Sequence, residues 1–124
     1  MNETDATEIN EVHTLNLSGK SGITRSSLLS QLNECNQESL RQLCIHSDDC
    51  KLLEAELFKD LKLNYLTHLK LESPLMSIPD NIFAELTHLQ HLDLSGCHLE
   101  SVPVNLFRSL TGLLSLNLSG YLLV

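Results

Sequence analysis

The sequence predicts an α/β solenoid: a right-handed β-α superhelix, a fragment of a horseshoe, with a parallel sheet along its concave side. Three observations predict it. One leucine frame recurs down the chain. A second motif, Pro-x-x-x-Phe-x-x-Leu, follows that frame. The apolar content is mostly leucine, with 29 Leu in 124 residues against three Phe, two Tyr and no Trp. A globule fills its core with mixed shapes, whereas a core of one residue type suits a stack in which every layer offers the next the same slot.

The frame is clearest in Leu89-Gln-His-Leu92-Asp-Leu94-Ser-Gly-Cys97-His-Leu99 and Leu113-Leu-Ser-Leu116-Asn-Leu118-Ser-Gly-Tyr121-Leu-Leu123. These align as L-x-x-L-x-L-x-x-(N/C)-x-L at an offset of 24 residues (113 − 89). That pattern, with a period of roughly 20–29 residues, is the signature of a leucine-rich repeat. Leu66, Leu69 and Leu71 open an earlier unit, in which Leu75 arrives one residue early. Leu40, Leu43 and Ile45 open the unit before it, and Val12, Leu15 and Leu17 the first. The units run 12–39, 40–65, 66–88 and 89–112, followed by a partial unit, 113–124. Residues 1–11 carry Glu3, Asp5, Glu8 and Glu11 with almost no apolar side chains, and read as a loose acidic tail.

Within each frame apolar and polar residues alternate, which is a short strand with one buried face. Leu92 should face inward and His91 outward. The later half of each unit agrees. Ile78-Pro79 and Val102-Pro103 correspond, with Leu53-Glu54 in the same place of the second unit. Phe58, Phe83 and Phe107 share one repeat position, and Leu61, Leu86 and Leu110 follow three residues later. Segments 79–86 and 103–110 are expected to return along the outer side as short helical or 3₁₀ turns, with Pro at the start because its missing N–H is an orphan there anyway. The first unit is longer. Leu28, Leu29 and Leu32 fall at helical spacing between Ser26 and Asn33, and Ser26 or Ser27 is the expected N-cap. The chain stops at Val124 in mid-unit, leaving Leu116, Leu118, Leu122 and Leu123 without a following layer, so a fragment of a longer array is expected, with self-association through that uncapped end as one mode of contact.

The net charge of −8 argues against nucleic acid, since no basic stripe exists to neutralise phosphates. No apolar run approaches the roughly 20 residues a membrane helix needs, so no membrane contact by this segment is expected. The start, Met1-Asn2-Glu3-Thr4-Asp5, is the opposite of a signal peptide. The chain therefore acts inside the cell, or its targeting part lies outside this sequence. Catalysis finds no motif: there is no nucleophile elbow, HExxH or phosphate loop, and neither cofactor nor metal is expected. Cys97 takes the frame position usually held by Asn and reads as structural, as does Cys50. Cys44 points outward, and Cys35 lies on the convex return. A bridge between them would have to cross the layer and is not expected.

The resemblance that these units carry is to the extracellular repeats of Toll-like receptors and variable lymphocyte receptors. It is closer still to insect Toll receptors, whose ectodomain opens with an irregular long unit, then an odd-length unit, then regular units ending in P-x-x-x-F-x-x-L. Residues 12–112 follow that order, through Glu11-Val-His-Thr-Leu-Asn-Leu, Ser27-Leu-Leu-Ser-Gln-Leu, Leu40-Arg-Gln-Leu-Cys-Ile and Leu66-Thr-His-Leu-Lys-Leu. The resemblance implies a ligand-binding piece of a Toll-type receptor, extracellular in its full-length parent, recognising a cystine-knot cytokine of the Spätzle type in innate immunity and development. It implies no signalling by this chain alone, which lacks a membrane helix and a cytoplasmic domain. An intracellular leucine-rich-repeat adaptor is the second expectation, favoured by the polar start.

The concave face is the expected binding surface. Its candidates are His13, Asn16, Arg41, Gln42, His46, His68, Lys70, Glu72, Gln90, His91 and Asp93, with Thr14, Cys44 and Thr67 beside them. Four of the six histidines fall there, which reads either as a pH-sensitive contact surface or as ordinary polar surface. They lie on different strands, with no spacing that builds a metal cage. Three sequons, at Asn2, Asn16 and Asn117, are glycosylation candidates. Glycans at the last two would project from the same face.

Overall fold

In Leu43-Cys44-Ile45 and its counterparts only every second side chain is apolar. An extended chain then shows one apolar and one polar face, and the apolar face must find cover. The computed structural model describes residues 13–17, 23–35, 37–47, 58, 61–73, 78–97, 99 and 101–118. Five strands meet the requirement: β1 (Thr14–Leu17), β2 (Gln42–His46), β3 (His68–Glu72), β4 (His91–Asp93) and β5 (Ser115–Asn117). They form one sheet in the order β1-β2-β3-β4-β5, every pair parallel. Leu15 pairs with Leu43, Leu43 with Leu69, Leu69 with Leu92 and Leu92 with Leu116. The register is thus the one that the spacing of the leucine frame predicts.

A backbone feature recurs at every strand junction. The His13 carbonyl accepts hydrogen bonds from the amides of Arg41 and Gln42, both at 2.8 Å. The Arg41 carbonyl does the same for Thr67 and His68, the Thr67 carbonyl for Gln90 and His91, and the Gln90 carbonyl for Leu114 and Ser115, all between 2.7 and 3.0 Å. Each incoming chain is pinned to its predecessor at the same point, so the strands start level.

Behind the sheet, Leu17, Ile45, Leu71 and Leu94 are buried in one column, and Leu40, Leu66 and Leu89 in another. Phe58 and Phe83 close the core from the far side, with ring centroids 6.3 Å apart and planes tilted by 31°, within the usual range for an aromatic pair. Phe107 is half-buried against the same core. Segments 79–86 and 103–110 return as successive turns. Ile82 N–H donates to the Pro79 carbonyl, Ala84 to Asn81 and Leu86 to Phe83; Leu106, Arg108 and Leu110 repeat the pattern with Pro103, Asn105 and Phe107. Bonds spanning three residues at alternate positions make a chain of turns, not a continuous helix.

Among the described residues one α-helix is present, α1 (Arg25–Asn33), and it buries Leu28 and Leu32. Its N-cap is Thr24, not Ser26 or Ser27. Thr24 Oγ1 accepts from the Ser27 amide at 3.2 Å while the Thr24 amide donates to Ser27 Oγ at 2.8 Å. Ser27 replaces the more usual Glu or Gln of this reciprocal pair, its short hydroxyl still reaching back one turn. The Ser47 hydroxyl, at the end of β2, donates to the Ile23 carbonyl and ties the helix approach to the sheet.

Cys97 is fully buried, and its thiol donates to the Leu71 carbonyl of the preceding layer at 3.2 Å. Burial pushes that thiol up to about 11, opposed by a backbone hydrogen bond at Ser73 and reinforced by Asp93 and Glu72. Cys35, Cys44 and Cys97 are all free. Residues 1–11 with Asn2, together with Cys50, Leu53, Glu54 and Leu75, lie outside the described residues.

Truncating Leu69, sealed between β2 and β4, should cost about 2–5 kcal/mol in the Leu69→Ala variant. Val104→Thr, at a side chain 97% exposed, should stay within about 0.5 kcal/mol. Urea unfolding followed by circular dichroism checks both, and similar losses would contradict the facing of β3. At Gly96 an added Cβ would meet Glu72 Cγ at 2.8 Å and Glu72 Cα at 3.2 Å. Gly96→Ala should therefore destabilise by about 1–3 kcal/mol in the same assay.

Candidate functional site

Pinning the strands level places their outward side chains in rows. Thr14, Gln42, His68, His91 and Ser115 form one row, and Asn16, Cys44, Lys70, Asp93 and Asn117 the next. Together they border a groove of about 520 Å³ that runs over the backbone of Leu43, Leu69 and Leu92, whose side chains are buried on the opposite face of the sheet.

The rows are internally organised. The His68 and His91 rings stack, with centroids 4.3 Å apart and planes 24° from parallel. Each ring is also held from the side. His68 Nδ1 lies 2.9 Å from Thr67 Oγ1, and His91 Nδ1 lies 2.7 Å from Ser115 Oγ. Burial holds the His68 pKa below the ordinary value of 6.5, and the adjacent His91 lowers it further. Asp93 accepts the Ser95 amide at 2.9 Å, which fixes its carboxylate at the end of β4. Beyond the groove, Glu72 joins His46 at 3.7 Å and Lys70 at 3.9 Å. These pairs are partly exposed, so they orient charge more than they stabilise the fold.

The eleven candidates divide cleanly. Asn16, Gln42, His68, Lys70, His91 and Asp93 line the groove. His46 and Glu72 share its face one row further along, paired with each other across β2 and β3. His13, Arg41 and Gln90 do not line it. Each occupies the position just before the strand, whose carbonyl receives two amides of the next layer. His13 Nδ1 lies 3.0 Å from the Ser39 carbonyl, and Arg41 Nη1 donates to the Glu38 carbonyl at 2.8 Å. Thr67 occupies the same position and bonds the Arg41 carbonyl through its hydroxyl at 3.1 Å.

Thr14, Cys44, Ser115 and Asn117 also line the groove. Alternation alone puts Thr14 and Cys44 there. Ser115 needed the last, partial unit to be read in the same register as the others. Both sequon residues of the described chain, Asn16 and Asn117, sit at opposite ends of one row. Among the described residues, no group of three or more His, Cys, Asp or Glu is placed to hold a metal ion. The groove offers hydroxyls, amides, imidazoles, a thiol, one ammonium and one carboxylate: short-range hydrogen-bonding chemistry.

The sign of the His68 shift has a consequence for stability. A proton on His68 is costlier in the folded state than in the unfolded one. The stability it contributes is complete above about pH 6.5 and is lost as the pH falls through the lowered folded value. The drop in melting temperature between about pH 7.5 and about pH 5 should therefore be smaller in His68→Gln than in the unaltered chain. Equal drops in a thermal melt series would show that the stack carries no such coupling.

No protein-family model matches this chain, and no curated protein matches it.

Proposed function

We propose that the chain is a stretch of leucine-rich repeat solenoid that binds another protein through the groove on its outward sheet face. The observation that carries this reading is the groove's construction. Ten polar or thiol-bearing side chains border it, two from each of the five strands. A surface assembled from many equivalent positions suits a broad partner, since each rung contributes one or two contacts and none is specialised.

The resemblance of the units to Toll-type ectodomains supports a receptor reading: part of an extracellular recognition module for a cystine-knot cytokine of the Spätzle type. With Asn16 and Asn117 at the ends of a groove row, glycans there would leave the middle, Gln42 to Asp93, for the ligand. A second reading, an intracellular adaptor, is favoured by a specific observation. Cys35, Cys44 and Cys97 are free, and thiols persist unpaired most readily in reducing compartments.

Surface plasmon resonance against a recombinant Spätzle-type cytokine tests the first reading. Saturable binding is expected, weakened about tenfold or more by Lys70→Glu combined with His91→Ala. No binding, or binding indifferent to those changes, would sink the receptor reading and leave the adaptor.

A further inference from the structure

The His68 and His91 rings meet face to face within the groove's first row, 4.3 Å between centroids and 24° from parallel. The tautomer of one of them follows from its neighbour. The Thr67 hydroxyl donates its single proton to the Arg41 carbonyl at 3.1 Å. Toward His68 Nδ1, 2.9 Å away, the same oxygen can then only accept. Nδ1 therefore carries the hydrogen, and Nε2 of the neutral ring is a bare acceptor. A further proton must go to Nε2, which turns that acceptor into a donor and leaves the Thr67 contact intact. The Ser115 hydroxyl, 2.7 Å from His91 Nδ1, can donate or accept, so His91 also keeps its contact in either state. Charging the rings thus breaks neither side contact. It acts on the stack itself and on whatever lies over it.

The charged and titratable groups around the pair are few. β2 contributes Cys44 and His46, β3 contributes Lys70 and Glu72, and β4 contributes Asp93, while β1 and β5 line the groove with hydroxyls and amides only. Glu72 is joined to His46 at 3.7 Å and to Lys70 at 3.9 Å, and Asp93 accepts the Ser95 amide. Among the described residues neither imidazole of the stack lies in an ion pair. Inside the groove Lys70 and Asp93 cancel in formal charge, so the two rings decide its sign. Like charges this close oppose each other. Burial, and then the neighbouring His91, already hold the His68 pKa below 6.5.

We infer that the stacked His68–His91 pair makes the groove an acid-released surface: a protein partner seats over the neutral rings and is expelled when they charge. This rests on the groove being the docking surface, as proposed above, and adds its regulation. The sign comes from desolvation. A partner covering the pair strips water from both imidazoles, which disfavours their charged forms further. Proton and partner therefore compete for the same rings, and each weakens the other's binding by the same factor. A partner donor seated on His68 Nε2 strengthens the effect, because protonation puts a hydrogen where that donor points.

Two measurements test this. In the free chain, imidazole Cε1–H resonances are followed by NMR from about pH 7.5 to about pH 5. The His68 midpoint should move up in His91→Gln, and contacts between the two rings should fade as the pH falls. An unmoved His68 midpoint, with ring contacts that persist at about pH 5, would overturn the coupling. Surface plasmon resonance with the Spätzle-type cytokine is then run at both pH values. Binding should be about tenfold weaker at about pH 5, the loss per pH unit for a ring charged when free and neutral when covered. The ratio of the two affinities should fall toward one in the His68→Gln/His91→Gln double variant, whatever its affinity at about pH 7.5. A ratio unchanged in that variant would assign the pH response to the cytokine and overturn the inference, as would tighter binding in acid. No binding at either pH would instead overturn the proposed function, while the NMR series still reports whether the rings are coupled.

Discussion

Each layer of this protein hides its leucines only because another layer lies against it. Leu15, Leu43, Leu69, Leu92 and Leu116 are the same residue at the same strand position. The inner three are sealed, Leu15 is half-buried and Leu116 is 40% exposed. Nothing intrinsic to the residue explains the difference; the neighbour does. Full burial of one such side chain is worth about 1.5–3 kcal/mol. The driving force for stacking therefore resides between layers, and no single frame could fold on it.

That dependence organises the surface as well. The carbonyl preceding each strand binds two amides of the next, so successive strands start level and their outward residues align in rows. A one-residue slip would turn every leucine outward and every groove residue inward. The groove is thus a by-product of the core: whatever holds Leu69 beneath Leu43 also holds His68 beside His91. This is why two imidazoles can stack at 4.3 Å with no sequence proximity between them, and why burial of one alters its protonation.

The same backbone turn that levels the strands separates two faces. Residues immediately before it, His13, Arg41 and Gln90, are carried out of the groove, and Arg41 meets Tyr65 on the flank. Two surfaces of different character result. One is a broad, polar trough across the sheet; the other is a flank on which Arg41 lies over Tyr65 and Tyr65 against His88. They draw on adjacent residues of one chain, Arg41 and Gln42, whose side chains diverge at that turn.

Sequence periodicity alone determined which residues pair across the sheet, because the leucine frame allows one register that keeps every apolar side chain covered. It also determined most groove residues, such as Gln42, His68, Lys70 and Asp93, since strand alternation dictates facing. It placed Cys97 in the interior because that residue takes the frame position usually held by Asn. Periodicity could not separate the two outward positions that precede each buried leucine, so Arg41 and Gln42 looked alike; only the doubled hydrogen bond to one carbonyl, a contact between residues more than twenty apart, decides that they diverge. Nor could it find Thr24 as the helix cap, because the reciprocal partner is Ser27 and the pairing is a matter of local geometry. The Arg41–Tyr65–His88 ladder was invisible for a further reason: its members share no motif and meet only because stacking brings three separate loops to one edge.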